Sequence, residues 1–342
     1  MTRPWSFATR AAALAGLIAF AAVPADAQEL NLYTTREPGL MKPLMDAFTK
    51  STGVKVNSVF IKDGLAERVT AEGAKSPADV LMTVDLGNLI DLVEKGLTQP
   101  VKSAVLEKAM PSNLRGPNGD WFTLSLRARV LYAAKDLNLS TFTYESLADP
   151  RWKGKVCIRS GQHPYNTAMI AAYIAHHGEA KAESWLRGMK ANLARAATGG
   201  DRDVARDIMG GICDIGIANS YYVGLMRSGA GGPEQTKWGS AINVILPTFE
   251  GGGTQVNISG ASIAKHSPNR AAAIRFLEYL VSDEAQKIYA EANYEYPVKA
   301  GAAIHPLIAA LGTLKVDSLS LAEIARYRTA ASKLVDKVGF DR

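Results

Sequence analysis

The feature that most narrows the fold is a rhythm at the start of the mature region. Short apolar segments alternate with amphipathic ones, and each amphipathic one stops at a glycine. Residues 29–39 read as a short strand and then a loop with a polar, arginine-bearing tip; residues 40–51 carry apolar side chains at 40, 41, 44, 45 and 48, the spacing of one helical face, and Gly53 ends them. Residues 54–61 alternate as a strand, 63–72 read as a helix stopped at Gly73, and 78–84 form the nearly continuous apolar run of a buried parallel strand. A helix over 86–95 closes at Gly96. This alternation predicts a parallel sheet with helices on both faces.

Residues 121–134 break the rhythm. The segment is strand-like but too long for an average strand, and it carries Arg127 and Arg129, which a period of two puts on one face. A strand shared between two blocks explains the length. A second α/β block follows, with a strand over 156–159, a loop to Tyr165, and helices over 166–177, 180–193 and 203–210. A strand over 212–218 then runs into Asn219, Ser220, Tyr221 and Tyr222. Residues 241–246 and 254–264 read as strands that carry the chain back across the junction. A helix over 268–290, an extended segment over 293–298 and a helix over 320–338 complete the chain. The expected architecture is α/β, two lobes joined by a two-strand hinge with the ligand cleft between them. The N-terminal lobe is expected to comprise 28–128 plus 249–300, and the C-terminal lobe 129–248 plus 301–342. A chain of 342 residues has room for two such domains.

Ahead of this lies an export leader. Arg3 and Arg10 precede an apolar run over 11–23, and Ala25-Asp26-Ala27 offers small residues where a signal peptidase reads, so cleavage is expected after Ala27. The run is shorter than the roughly 20 residues that span a bilayer. The formal charge is +6, and the leader carries two arginines and one aspartate, so the mature charge is about +5. The basic residues are scattered, which gives no nucleic-acid footprint. Cys157 and Cys213 are the two cysteines; in an oxidising compartment they read as a disulfide, with a thiolate metal site as the rival reading.

The candidate site starts from the tyrosine pair. In an open α/β sheet ligands bind beyond the carboxyl ends of strands, where Tyr221 and Tyr222 sit. Two phenols there offer hard oxygen donors to a cation, although a phenol with a pKa near ~10 keeps its proton unless a strong cation displaces it. Taken alone the pair reads first as half-buried packing aromatics. Tyr33, Tyr294 and Tyr296 read as packing residues too, and His176 and His177 as residues closing a helix.

Several stretches together resemble the ferric-iron-binding periplasmic proteins of ABC transporters. They are Leu-Asn-Leu-Tyr-Thr-Thr-Arg at 30–36, Ser-Pro-Ala-Asp-Val-Leu-Met-Thr-Val-Asp at 76–85, Arg127-Ala-Arg129, Asn219-Ser-Tyr-Tyr222, Gly-Thr-Gln-Val-Asn-Ile-Ser-Gly at 253–260 and Asn-Tyr-Glu-Tyr-Pro at 293–297. The resemblance implies a periplasmic-binding-protein fold that closes on its ligand. It implies phenolate ligands at Tyr221 and Tyr222 and a third at Tyr165. Many members carry His-Tyr after the first-loop arginine; here Glu37 and Pro38 stand there, and Pro38 has no ligating atom. The branch lacking that pair uses three tyrosines with a bound anion such as carbonate or bicarbonate, so Arg36 is the leading anion partner and Arg127 the next. Glu37 and His163 are candidates for the ring around the metal. A monomer delivering Fe3+ to an inner-membrane permease and its ATPase is the implied role, located in the periplasm.

Chemistry agrees with that reading. Ferric iron is small and hard and takes oxygen donors, and three phenolates balance its charge. A guanidinium offsets the added anion through a bidentate fork. The competing reading is a receptor of the same fold for an organic anion such as a phosphonate, held by Arg36 and Arg127. An enzyme is the third: the sequence has no Gly-x-Ser-x-Gly elbow, no His-Glu-x-x-His and no phosphate-binding Gly-Lys-Ser/Thr loop, so none is expected.

Overall fold

The computed structural model of the protein describes Met1, Thr2 and residues 29–342. The leader expected over 1–27 falls, beyond its first two residues, outside the described residues. Among the described residues ten strands join one sheet: β1 (Glu29–Thr34), β2 (Lys55–Phe60), β3 (Val80–Thr83), β4 (Thr98–Gln99), β5 (Phe122–Ala134), β6 (Val156–Cys157), β7 (Ile215–Asn219), β8 (Ile242–Ile245), β9 (Val256–Ala264) and β10 (Tyr296–Pro297). The main path runs β2-β1-β3-β9-β5-β7-β6. The expected parallel core is there, with β1 parallel to β2 and β3.

β5 is the shared element. Its first half, up to Ala128 opposite Val256, pairs with β9, and Leu126 stands opposite Tyr296 of β10. From Arg129 onward the same strand pairs with β7 and β8. The Arg129 amide donates to the Gln255 carbonyl at 2.9 Å, so the switch between partners lies beside the second crossing of the chain, over 246–255. Every residue of β9 is buried, as in a strand covered on both faces.

Two long predicted helices are each broken in two. The segment read as 268–290 is Arg270–Leu280 and Asp283–Asn293, because the Ser282 hydroxyl accepts the Ala285 N–H and starts a new helix. The segment read as 320–338 is Leu321–Ala325 and Arg328–Val338. The latter packs on the Pro164–His177 and Glu179–Ala191 helices.

Cys157 and Cys213 form a disulfide with Cα atoms 5.9 Å apart and a sequence separation of 56. The bond sets aside the thiolate metal site. It ties β6 to the segment entering β7, the strand whose end carries the tyrosine pair. Closing a loop of this length stabilises a fold by roughly 4 kcal/mol in the chain-entropy view.

Candidate metal-binding cleft

Each tyrosine is held by an identifiable local device. Pro164 opens the Pro164–His177 helix, where its missing N–H costs nothing, and His163 caps it by accepting the Tyr165 amide on Nδ1 at 3.3 Å. Tyr165 therefore sits in the first turn, with the His163 ring edge-on to it at 4.5 Å between centroids. Burial, then Arg159, pulls the His163 pKa down to about 4, so this imidazole is neutral at pH 7. At the end of β7, Ser220 is pinned to β5 twice. Its amide donates to the Ala128 carbonyl at 2.9 Å, and its Oγ accepts the Ala128 amide at 3.1 Å. The Tyr221–Arg227 helix starts at that pin, so the tyrosine pair is registered against the strand residue between Arg127 and Arg129. The Tyr221 and Tyr222 rings lie 4.0 Å apart at 34°.

Tyr165 and Tyr221 line one cavity of about 300 Å³ together with Arg36, Glu37, Arg127 and Glu295. Tyr222 packs on Tyr221 beside it, and Glu37 is exposed at the cavity edge. The structure thus brings together the tyrosines, arginines, Glu37 and His163 singled out from sequence. Tyr294, read as a packing residue, also forms part of the wall.

The charges fall into two clusters, each with two guanidiniums and one carboxylate. In the first, Arg36 is 5% exposed; its Nη2 donates to Glu295 Oε1 at 2.8 Å and to the Ser259 hydroxyl, and its Nη1 to Asn293 Oδ1 at 3.0 Å. Arg127 donates through Nη2 to the Val84 and Ile258 carbonyls, while among the described residues its buried Nε, like that of Arg36, meets no acceptor. Burial works to raise the Glu295 carboxyl, but Arg36 and Arg127 with the Ser125 hydroxyl outweigh it and hold the group below the usual carboxylate range. In the second cluster Arg129 meets Asp201 at 2.6 Å and Asn219 at 3.1 Å, and Arg159 reaches Asp201 at 3.4 Å. Arg129 is thereby occupied away from the cavity, although it shares the strand face of Arg127.

Guanidiniums also ring the phenols. Arg159, Arg127 and Arg129 lie 5.4, 5.5 and 6.0 Å from the Tyr165 ring centroid, Arg127 lies 6.0 Å from that of Tyr221, and Arg202 lies 5.6 Å from that of Tyr222. Burial, then the neighbouring Tyr165, pushes the Tyr221 and Tyr222 phenols above their ordinary value. These two phenols therefore hold their protons amid surplus positive charge, and a cation must displace those protons to bind there. Among the described residues no group of three or more His, Cys, Asp or Glu side chains is placed to hold a metal.

Sequence reading missed Glu295, Asp201 and Arg159. Glu295 is a charged residue between two aromatics in an otherwise buried segment, and that is the signal that marks it. Asp201 opens the Asp201–Met209 helix, where an acid reads as an ordinary complement to the helix dipole.

Residues 75–309 match the family described as bacterial extracellular solute-binding protein. The chain is 41% identical over 322 residues to Iron uptake protein A1 of Synechocystis sp., an alignment covering 93% of this chain and 89% of that protein. Among solved structures, the Bordetella ferric binding protein superposes with a TM-score of 0.89 at 65% identity, covering 92% of this chain and all of that one. A Trichodesmium protein described as in complex with iron and citrate ligands superposes with a TM-score of 0.88 at 43% identity, covering 91% of this chain and 99% of that one.

Proposed function

We propose that this chain, which belongs to the bacterial extracellular solute-binding proteins, is a periplasmic receptor that captures ferric iron and hands it to an ABC-type permease and its ATPase for import. The observation that carries the reading is the convergence of Tyr165, Tyr221 and Tyr222 on one guanidinium-ringed cleft with no competing metal-capable cluster among the described residues. Tyr165, Tyr221 and Tyr222 bind as phenolates, and their three negative charges offset Fe3+. A carbonate completes the shell. Arg127 is its leading partner because no side chain engages its guanidinium, which meets only the Val84 and Ile258 carbonyls through Nη2, whereas both Nη atoms of Arg36 are engaged by Glu295, Asn293 and Ser259. Glu37 and His163 flank the site.

The protein acts by binding and release, as a monomer whose lobes are 28–128 plus 249–300 and 129–248 plus 301–342. The switch of β5 between two sets of partners supports a hinge at 128–129 and over 246–255. A receptor for an organic anion such as a phosphonate would use the arginines and leave the tyrosines idle, and the iron-binding relatives do not favour it. Titrating iron-free protein with ferric iron, with and without bicarbonate, separates the two. The iron receptor turns red-orange through phenolate-to-iron charge transfer at one iron per chain. An organic-anion receptor stays colourless.

A further inference from the structure

We infer that Glu295 sets the charge of the anion that this cleft accepts with iron, and sets it at two. The inference rests on the iron-binding reading above and adds what decides the anion. Arg36 and Arg127 against Glu295 leave one positive charge; Arg129 and Arg159 against Asp201 leave a second. Arg202, over Tyr222, and Glu37, at the cavity edge, are opposite in sign and offset each other. Three phenolates cancel Fe3+, so the surplus is carried by the two clusters alone, and a doubly negative anion brings the closed site to neutrality.

Of the two carboxylates, Glu295 is the one that faces the anion. It lines the cavity, whereas Asp201 also accepts the Asn219 amide at 2.8 Å and so holds the end of β7. Glu295 is 2% exposed and its Oε1 lies 2.8 Å from Arg36 Nη2, too buried for solvent ions to screen. Its oxygens also accept from Ser125 and Ser259, which fix the carboxylate between the guanidiniums. Changing such a buried charge by one shifts the affinity for a neighbouring anion by about tenfold or more.

The test uses iron-free full-length protein in bicarbonate-free buffer at constant ionic strength. Ferric iron affinity is read from the charge-transfer band with nitrate or with sulfate as the only added anion, and the quantity scored is the sulfate-to-nitrate ratio of affinities. Glu295→Gln raises the ratio by about tenfold or more over wild type. Arg36→Gln lowers it by a similar factor, and the double variant Arg36→Gln/Glu295→Gln, which removes one charge of each sign, returns it to the wild-type value. A ratio that stays put in folded Glu295→Gln overturns the inference, as does a double variant that fails to restore it. Should Glu295→Gln alone not fold, adding it to the Arg36→Gln background reads the same tenfold step. Absence of the band in wild type with every anion instead removes the iron reading itself.

Discussion

Gly224 and Tyr294 meet without room for a side chain between them: a Cβ on Gly224 would stand 2.5 Å from the Tyr294 Cβ. Gly224 belongs to the helix that the tyrosine pair opens, and Tyr294 lines the cavity beside Glu295. Tyr294 also has a φ of 56°, a left-handed conformation in which a non-glycine residue is strained. Gly224→Ala therefore pushes the two walls apart. Overpacking of this kind costs about 1–3 kcal/mol, and borne by the iron-bound form, in which the walls close, it lowers iron affinity by roughly 5- to 140-fold. Isothermal titration with iron, alongside the melting temperature of the iron-free form, checks this; unchanged affinity in a folded variant refutes it.

The two cleft arginines separate by their partners. Arg127→Gln removes a guanidinium that no side chain engages, so bicarbonate ceases to strengthen iron binding while iron is still taken up weakly. Arg36→Gln breaks a buried ion pair with Glu295, which costs about 3–5 kcal/mol of stability. Chemical denaturation and iron titrations with and without bicarbonate check the pair of results. Equal loss of stability in both variants contradicts the division of roles.

The phenol shifts fix the sign of the pH dependence. Burial raises Tyr221 and Tyr222 and keeps both protonated before iron binds, so iron displaces a proton from each. Binding tightens as pH rises, and this pair alone contributes about two decades of affinity per pH unit between mildly acid and neutral conditions. Affinity that is flat from pH 5.5 to 7.5 contradicts phenolate ligation.

Reducing the Cys157–Cys213 bond loosens the strand that ends in the tyrosines. Reduction under non-denaturing conditions is expected to lower stability by roughly 4 kcal/mol. The loss falls on the iron-free form and is partly recovered when saturating iron is present, since a ligand that binds only the folded state stabilises it. Urea melts of reduced and oxidised protein, each with and without iron, report both effects.

Much of this was legible in the chain itself. The alternating apolar and amphipathic segments carried the α/β class because each period is local. The excess length of 121–134 showed a strand shared between two blocks, and β5 changes partners at 128–129. Tyr221, Tyr222, Arg36 and Arg127 stand in the stretches that carry the family resemblance, and Tyr165 was named through that resemblance. Glu295 and Asp201 were not legible as site residues, because a buried carboxylate is recognised by its partners, and Arg36 and Arg159 lie 259 and 42 residues away from them. The breaks at Ser282 and before Arg328 were hidden because the apolar spacing runs through them. The Arg127 guanidinium meets only the carbonyls of Val84 and Ile258, which no local pattern announces.

The central claim is that phenolate oxygens hold the iron, and Tyr222→Phe tests it most directly, because the substitution removes one oxygen and little else. The measurement is the visible spectrum and iron stoichiometry of wild type and variant at neutral pH with bicarbonate. The wild type is predicted to bind one ferric ion with a red-orange charge-transfer band. The variant is predicted to lose tight binding and most of the band while melting at the wild-type temperature in the iron-free form. Undiminished iron binding with an unchanged band in Tyr222→Phe would contradict the account.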